Sequence, residues 1–150
     1  WPAILAIVKP VLAAGETYAI DRDLDDAGVR AYWMMPVHEV FVAEIDGRIS
    51  GTYYLMHNQR GGGAHVANCG YMTDPAARGK GVARAMCEHS LACARERGFR
   101  AMQFNHVVST NSGAVALWQS LGFAIVGTLP VAFDHPVHGY VDSYVMFRQL

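Results

Sequence analysis

Charge is scarce in this sequence. Asp, Glu, Lys and Arg make up 17% of its 150 residues and nearly cancel, leaving a formal net charge of −1. A protein that grips nucleic acid through phosphates needs a basic surplus, so no nucleic-acid partner is expected. Cysteine is also sparse and odd in number: Cys69, Cys87 and Cys93. A chain of this length does not depend on a disulfide framework, and reduced thiols in a cytoplasmic setting are expected. No apolar run reaches the roughly 18 residues of a membrane-spanning helix. The start lacks the ordered charged, apolar and cleavage regions of a secretory signal, so no membrane partner is expected. Repeats, linkers and low-complexity tracts are missing. So is an initial Met: the chain begins at Trp1, as a processed or trimmed one would. What it does have is apolar content, 52% of residues. That suits a single domain over residues 1–150 with one substantial core.

The hydrophobic pattern divides this domain into alternating element types. Ile4, Leu5, Ile7, Val8, Val11 and Leu12 fall at helical spacing between Pro2 and Ala14. Gly15 is a stop signal, and Pro10 predicts a kink or break. The acidic run Asp21 to Asp26 predicts the capped start of a second helix reaching about Met35. Strands are expected at Val40–Ile45 and Arg48–Met56, joined by the Asp46-Gly47 hairpin signal. A glycine-rich loop over Asn58–Gly63 and a third strand over His65–Met72 follow. A helix is expected from Gly79 to Arg97, with an apolar stripe at Val82, Ala85, Met86, His89 and Cys93 and a cap at Gly98. Then come a strand at Arg100–Val108 and a helix at Asn111–Leu121. Two last strands, Phe123–Phe133 and Tyr140–Gln149, are joined through residues 134–139.

The most informative segment is Asp74-Pro-Ala-Ala-Arg-Gly-Lys-Gly-Val-Ala-Arg84, between a strand and a long helix. Its glycines let successive N–H groups converge, and the helix start adds free N–H groups and a positive dipole end. Arg78 and Lys80 add charge. Such a pocket suits a pyrophosphate. A nucleoside-triphosphate loop needs Ser or Thr after Gly-Lys, but Gly81 follows Lys80. A dinucleotide fingerprint needs a third glycine where Arg84 stands. Coenzyme A remains.

Arg78-Gly-Lys-Gly-Val-Ala83 resembles the Arg/Gln-x-x-Gly-x-Gly/Ala signature of the GCN5-related N-acetyltransferases (GNAT). Asn111-Ser-Gly-Ala-Val-Ala-Leu-Trp-Gln-Ser-Leu-Gly-Phe123 is similar to that family's second signature, Asn-x-x-Ala…Leu-Tyr-x-x-x-Gly-Phe. The resemblance implies a mixed α/β (α+β) three-layer fold, with a mostly antiparallel mixed sheet flanked by helices. The family's usual first strand would lie upstream of Trp1 or be absent. It also implies acetyl-CoA as co-substrate and transfer to an amine by direct attack in a ternary complex. Tyr71, Met72 and Thr73 would pair with the pantetheine arm, and the N–H near Met72 would face the thioester carbonyl. Arg78, Gly79, Lys80, Gly81, Val82 and Ala83 would hold the pyrophosphate. Asn111, Ala114 and Trp118 would stand beside the cofactor. The final strands often build dimers in this family, so a homodimer is an expectation.

The chain departs from the pattern at Trp118, where the family often has a Tyr that protonates the leaving thiolate. Indole cannot do so at neutral pH. A free thiol has a pKa near ~8.5, so unaided departure is chemically tolerable. The third strand offers no carboxylate as base. It offers Asn68, and the next strand offers Asn105 and His106. Alternation predicts Gln103 and Asn105 on one face and His106 on the other. Asn68 and Asn105 are therefore the candidate acceptor-orienting residues, with proton removal left to a water chain or to His106. Phe104-Asn105, Trp118 and Asn68 also resemble acetyltransferases acting on azetidine-2-carboxylate and related proline analogues, which implies a small amino-acid-like amine. No metal is expected. Cys87, His89 and Cys93 are read as packing residues, and His135 and His138 as part of a polar loop. The rival readings are a CoA-binding module without turnover and a protein or peptide acetyltransferase.

Overall fold

A computed structural model describes all residues, 1–150. Helix α1 (Pro2–Ala14) places proline in its first turn and buries Ile4, Ile7, Val8 and Leu12. Gly15, at φ 65°, ends it by donating from its N–H to the Leu12 carbonyl. Pro10 does not break this helix, contrary to the sequence expectation. It occupies an exposed position, while the buried stripe on the other side holds the turns together. Helix α2 (Asp26–Trp33) is shorter than expected. Asp25 caps it, its Oδ1 accepting from the Gly28 N–H at 2.8 Å.

Six strands form one sheet: β1 (Glu39–Ile45), β2 (Arg48–His57), β3 (Val66–Thr73), β4 (Ala101–Val108), β5 (Ala124–His135) and β6 (Gly139–Gln149). The order is β1-β2-β3-β4-β6-β5. The β1–β2 turn uses Asp46 and Gly47 at φ 50° and 76°, the doubly positive geometry of a tight hairpin. Only β3 and β4 are parallel. Helix α3 (Val82–Glu96) is their crossover, as parallel neighbours require. Its buried stripe runs through Val82, Met86, Cys87, Ser90, Cys93 and Ala94. Ala85 and His89, expected on the stripe, are exposed. Helix α4 (Ser112–Ser120) follows β4.

The helices cover both faces of the sheet. On one face α1 and α2 pack their apolar residues against Tyr54 and Met72. On the other, α3 and α4 pack against Tyr53, Leu55, Met102 and Phe104. This explains why β2 is buried continuously from Gly51 to Leu55 rather than alternately. The edge strand β5 stays open, with Val126 and Val131 exposed. No helix is long and apolar enough to cross a membrane.

The α1–α2 face depends on Trp33, which is fully buried and donates from Nε1 to Thr52 Oγ1 at 3.1 Å. Its ring meets Tyr18, Tyr32 and Tyr54 edge-on. Trp33→Ala is expected to cost about 3–5 kcal/mol of unfolding free energy in urea denaturation, since the cavity cannot close around so many fixed rings.

Candidate active site

Strands β3 and β4 pair only at Val66↔Ala101 and Ala67↔Met102, then part. The next rung is made by a side chain: Asn68 Nδ2 donates to the Gln103 carbonyl at 2.8 Å. Above it a cavity of about 750 Å³ opens, lined by Asn68–Thr73 from β3 and Phe104–Val108 from β4. It reaches both faces of the sheet. Glu16, Tyr18, Tyr32 and Tyr54 line it on the α1–α2 face, and Ala83, Asn111, Ala114 and Trp118 on the α3–α4 face.

The polarity of β3 decides which peptide groups face this cavity. The Asp74 N–H bonds the Ser50 carbonyl at 2.9 Å, and the β2–β3 register runs without a shift. Alternation then turns the Met72 peptide groups toward Thr52, and those of Tyr71 and Thr73 away from β2. Tyr18 corroborates this, its hydroxyl donating to the Tyr71 carbonyl at 2.9 Å. The expectation for Met72 is thus corrected: its N–H belongs to the β2 ladder, and its side chain is buried against the helices of the α1–α2 face.

At the α3 end, Gly79 and Gly81 both have φ 77°. A Cβ at either would meet nothing within 4 Å, so the backbone conformation and not clearance demands glycine. Gly81 is the N-cap and brings no side chain to the task. The first helical bond runs from Ala85 N–H to Gly81 O, leaving the N–H groups of Val82, Ala83 and Arg84 without an acceptor in the chain. These residues, with Arg78, Gly79 and Gly81, line a second hollow of about 370 Å³. Thr73, Pro75, Arg78, Ala83 and Leu117 line both spaces, so they adjoin. Asp74 braces the loop, accepting from Ala76 N–H and from Arg48, each at 2.9 Å. Lys80 lines neither space and is exposed, so its charge acts on the hollow only from a distance.

Asn111 precedes α4 but makes no side-chain cap. Its amide therefore stays free where it lines the cavity. Trp118 is buried against Tyr71 and Phe104, with ring centroids 5.0 and 5.2 Å away. It is a wall, which agrees with the absence of an acidic proton on indole.

On β4 the alternation expected from sequence holds for Gln103 and Asn105, whose side chains bond each other, but is then interrupted. The pairing with β6 shifts between Phe104 and Val107, and across this bulge Asn105 and His106 both line the cavity. Asn105 is held from two sides: Gln103 Nε2 donates to its Oδ1, and its Nδ2 donates to Asn58 Oδ1 at 2.6 Å. His106 Nδ1 lies 2.6 Å from the Oγ of fully buried Ser143 on β6. Counting up from the last parallel rung sets His106 about level with Tyr71 across the gap. Sequence reasoning missed Tyr18, Tyr32, Tyr54, Asn58 and Ser143. None carries a motif, and each arrives from an element distant in the chain. Burial pushes the hydroxyls of Tyr18, Tyr32, Tyr54 and Tyr71 above the ordinary tyrosine range. It also pushes the Cys69 thiol up to about 12. All remain protonated and uncharged near neutral pH.

Away from the cavity, His89 and Cys93 stand four residues apart on α3 and do meet, Sγ lying 3.6 Å from Nδ1. Tyr53 completes this contact, its hydroxyl 2.7 Å from His89 Nδ1. Nowhere do three or more His, Cys, Asp or Glu side chains converge to hold a metal.

Comparisons with known proteins agree with this geometry. Residues 8–123 match the Acetyltransferase (GNAT) family. N-acetyltransferase aca1 of Schizosaccharomyces pombe is 34% identical over 113 residues, 73% of this chain. The chain spans only 54% of that relative's own length. Among solved structures, a GCN5-related N-acetyltransferase from Kribbella flavida is 49% identical. It superposes with a TM-score of 0.94 over 100% of this chain and 92% of its own. An acetyltransferase from Salmonella typhimurium, solved with acetyl-CoA, shares the fold at 23% identity and a TM-score of 0.82, over 99% and 87% of the two chains. A match across three quarters of the length, on a sheet parted beside an amide-rich helix start, places this chain in the acetyltransferase (GNAT) family.

Proposed function

We propose that this chain transfers acetyl from acetyl-CoA to the amine of a small molecule, by direct attack while both are bound. The observation that carries the reading is the opening through the sheet, with an amide pocket at one mouth and an unrelated, tyrosine-lined mouth at the other. Two reactants that enter from opposite faces meet in line without displacing each other, which is the positional requirement of a direct transfer. Acetyl-CoA, when bound, supplies the acetyl group as an activated thioester.

The residues divide the work as follows. Arg78 and the backbone from Gly79 to Ala83 hold the pyrophosphate. The outward peptide groups of Tyr71 and Thr73 receive the pantetheine arm as an added strand would. The Tyr71 N–H, rather than that of Met72, faces the oxygen on which charge develops. Asn111 and Ala114 flank the arm, and Trp118 walls it. Asn68 and Asn105 take a different role from the acceptor contact expected of them. The Asn68 amide ties the parting strands, and the Asn105 amide anchors β4 to Asn58 beyond the end of β2. His106 is the base: in the tautomer whose Nδ1 donates to Ser143 Oγ, its Nε2 is left as acceptor. The departing thiolate needs no side-chain acid. The rival reading, a CoA-binding module without turnover, draws on Trp118 and on the lack of a carboxylate on the cavity walls of β3 and β4.

The test is calorimetric titration with acetyl-CoA, followed by a free-thiol assay across an amine panel. Tight binding with no CoA release favours the module, and no binding at all removes both readings. His106→Gln is expected to lower kcat by at least about 100-fold with acetyl-CoA affinity unchanged, whereas Ser143→Ala lowers it less, since imidazole keeps its place. Gly81→Ala is expected to weaken acetyl-CoA binding about tenfold in the same titration, because alanine resists the positive φ, with kcat at saturation little changed.

A further inference from the structure

We infer that the acceptor is a cationic amine with an aromatic or apolar body and no carboxylate beside its nitrogen. This rests on the acetyl-transfer reading and narrows it, replacing the amino-acid-like acceptor suggested by sequence. The argument concerns the half of the cavity on the α1–α2 face, lined by Tyr18, Tyr32 and Tyr54. The Tyr54 ring lies across Gly70, where a Cβ would stand 2.6 Å from its Cε1. His38 stacks on that ring at 3.9 Å and Trp33 meets it edge-on at 5.1 Å. The surface is aromatic and held rigid from behind. Aromatic walls of this kind accept apolar bodies, and their phenol oxygens accept hydrogen bonds from ammonium groups.

Formal charge points the same way. Among the residues lining the cavity, Glu16 is the one acid and Arg78 the one permanent cation. Arg78 also lines the amide hollow, so it belongs to the cofactor side. Glu16 joins none of the ion pairs, which are Lys9–Asp26, Arg48–Asp74, Arg84–Glu88 and Arg97–Glu39. Arg22, nearest to it in sequence, lies against Gly15 and donates to the Ala14 carbonyl at 3.2 Å rather than pairing with the Glu16 carboxylate. The amide donors of Asn68 and Asn105 are engaged within the chain. A carboxylate entering here would find no permanent cation on this face, one like charge and only phenol hydroxyls as donors, whereas an ammonium would find a carboxylate and phenol oxygens that accept. The bound ammonium gives one proton to His106 Nε2. Its nitrogen lone pair then forms the C–N bond as the C–S bond breaks. The sulfur leaves with the bonding electrons and takes the second proton from nitrogen, giving the amide and free CoA.

Matched pairs test this: phenethylamine against phenylalanine, tryptamine against tryptophan, and a short peptide with a free N-terminal alanine. CoA release is followed kinetically, and binding to the CoA-saturated protein by calorimetry. Each decarboxylated amine should exceed its amino acid by at least about tenfold in kcat/KM, and should bind where the amino acid gives no heat. Glu16→Gln should raise KM for phenethylamine several-fold without altering acetyl-CoA affinity. Equal or better turnover of the amino acids overturns the acceptor class while leaving acetyl transfer intact, and so does a peptide that outperforms every small amine. Acetyl-CoA binding without CoA release from any acceptor overturns the transfer reading, and this inference with it.

Discussion

Two parallel strands that pair for two rungs and then diverge set the terms for everything else in this molecule. A parallel pair needs a crossover, and here the crossover is α3, so the strand that opens the gap also leads directly into the amide-rich helix start. The gap and the hollow at the helix start are therefore neighbours by connectivity. Because helices cover both faces of the sheet, a gap in it becomes a passage with two chemically different mouths.

The divergence leaves unpaired backbone along β3, and the chain meets this need in two ways. The Asn68 amide replaces the first missing rung. The Tyr18 hydroxyl satisfies the Tyr71 carbonyl. The remaining outward peptide groups of Tyr71 and Thr73 have only the cavity to face, a strand edge suited to an extended ligand. On β4 the bulge between Phe104 and Val107 interrupts the pairing with β6 where Asn105 and His106 line the cavity. The site is thus built from interruptions of regular pairing, each stabilised by a specific side chain.

Much of this was legible in the residues. Asp46-Gly47 marked the first hairpin, and Gly15 and Gly98 marked helix ends, because each signal is a local backbone requirement. The glycine-built entry to α3 was legible for the same reason: positive φ at Gly79 and Gly81 and a capless helix start are properties of a few consecutive residues. Pro10 misled, since a local rule about helix interiors was outweighed by the burial of Ile7, Val8 and Leu12 around it. The stripe of α3 was misplaced at Ala85 and His89 because apolar spacing does not say which neighbouring face the sheet will cover.

The order of elements, the hairpin and the glycine-built helix entry were determined by the sequence alone, since φ preference and hydrophobic period act between residues close in the chain. Tertiary structure alone decided that Met72 points to β2 while Tyr71 faces the cavity, because hydrogen-bond phase in a sheet depends on the partner strand. It alone set His106 beside Ser143 and laid Tyr54 over Gly70. Such pairings join residues far apart in the chain, and only the packing of helices on a parted sheet brings them within reach.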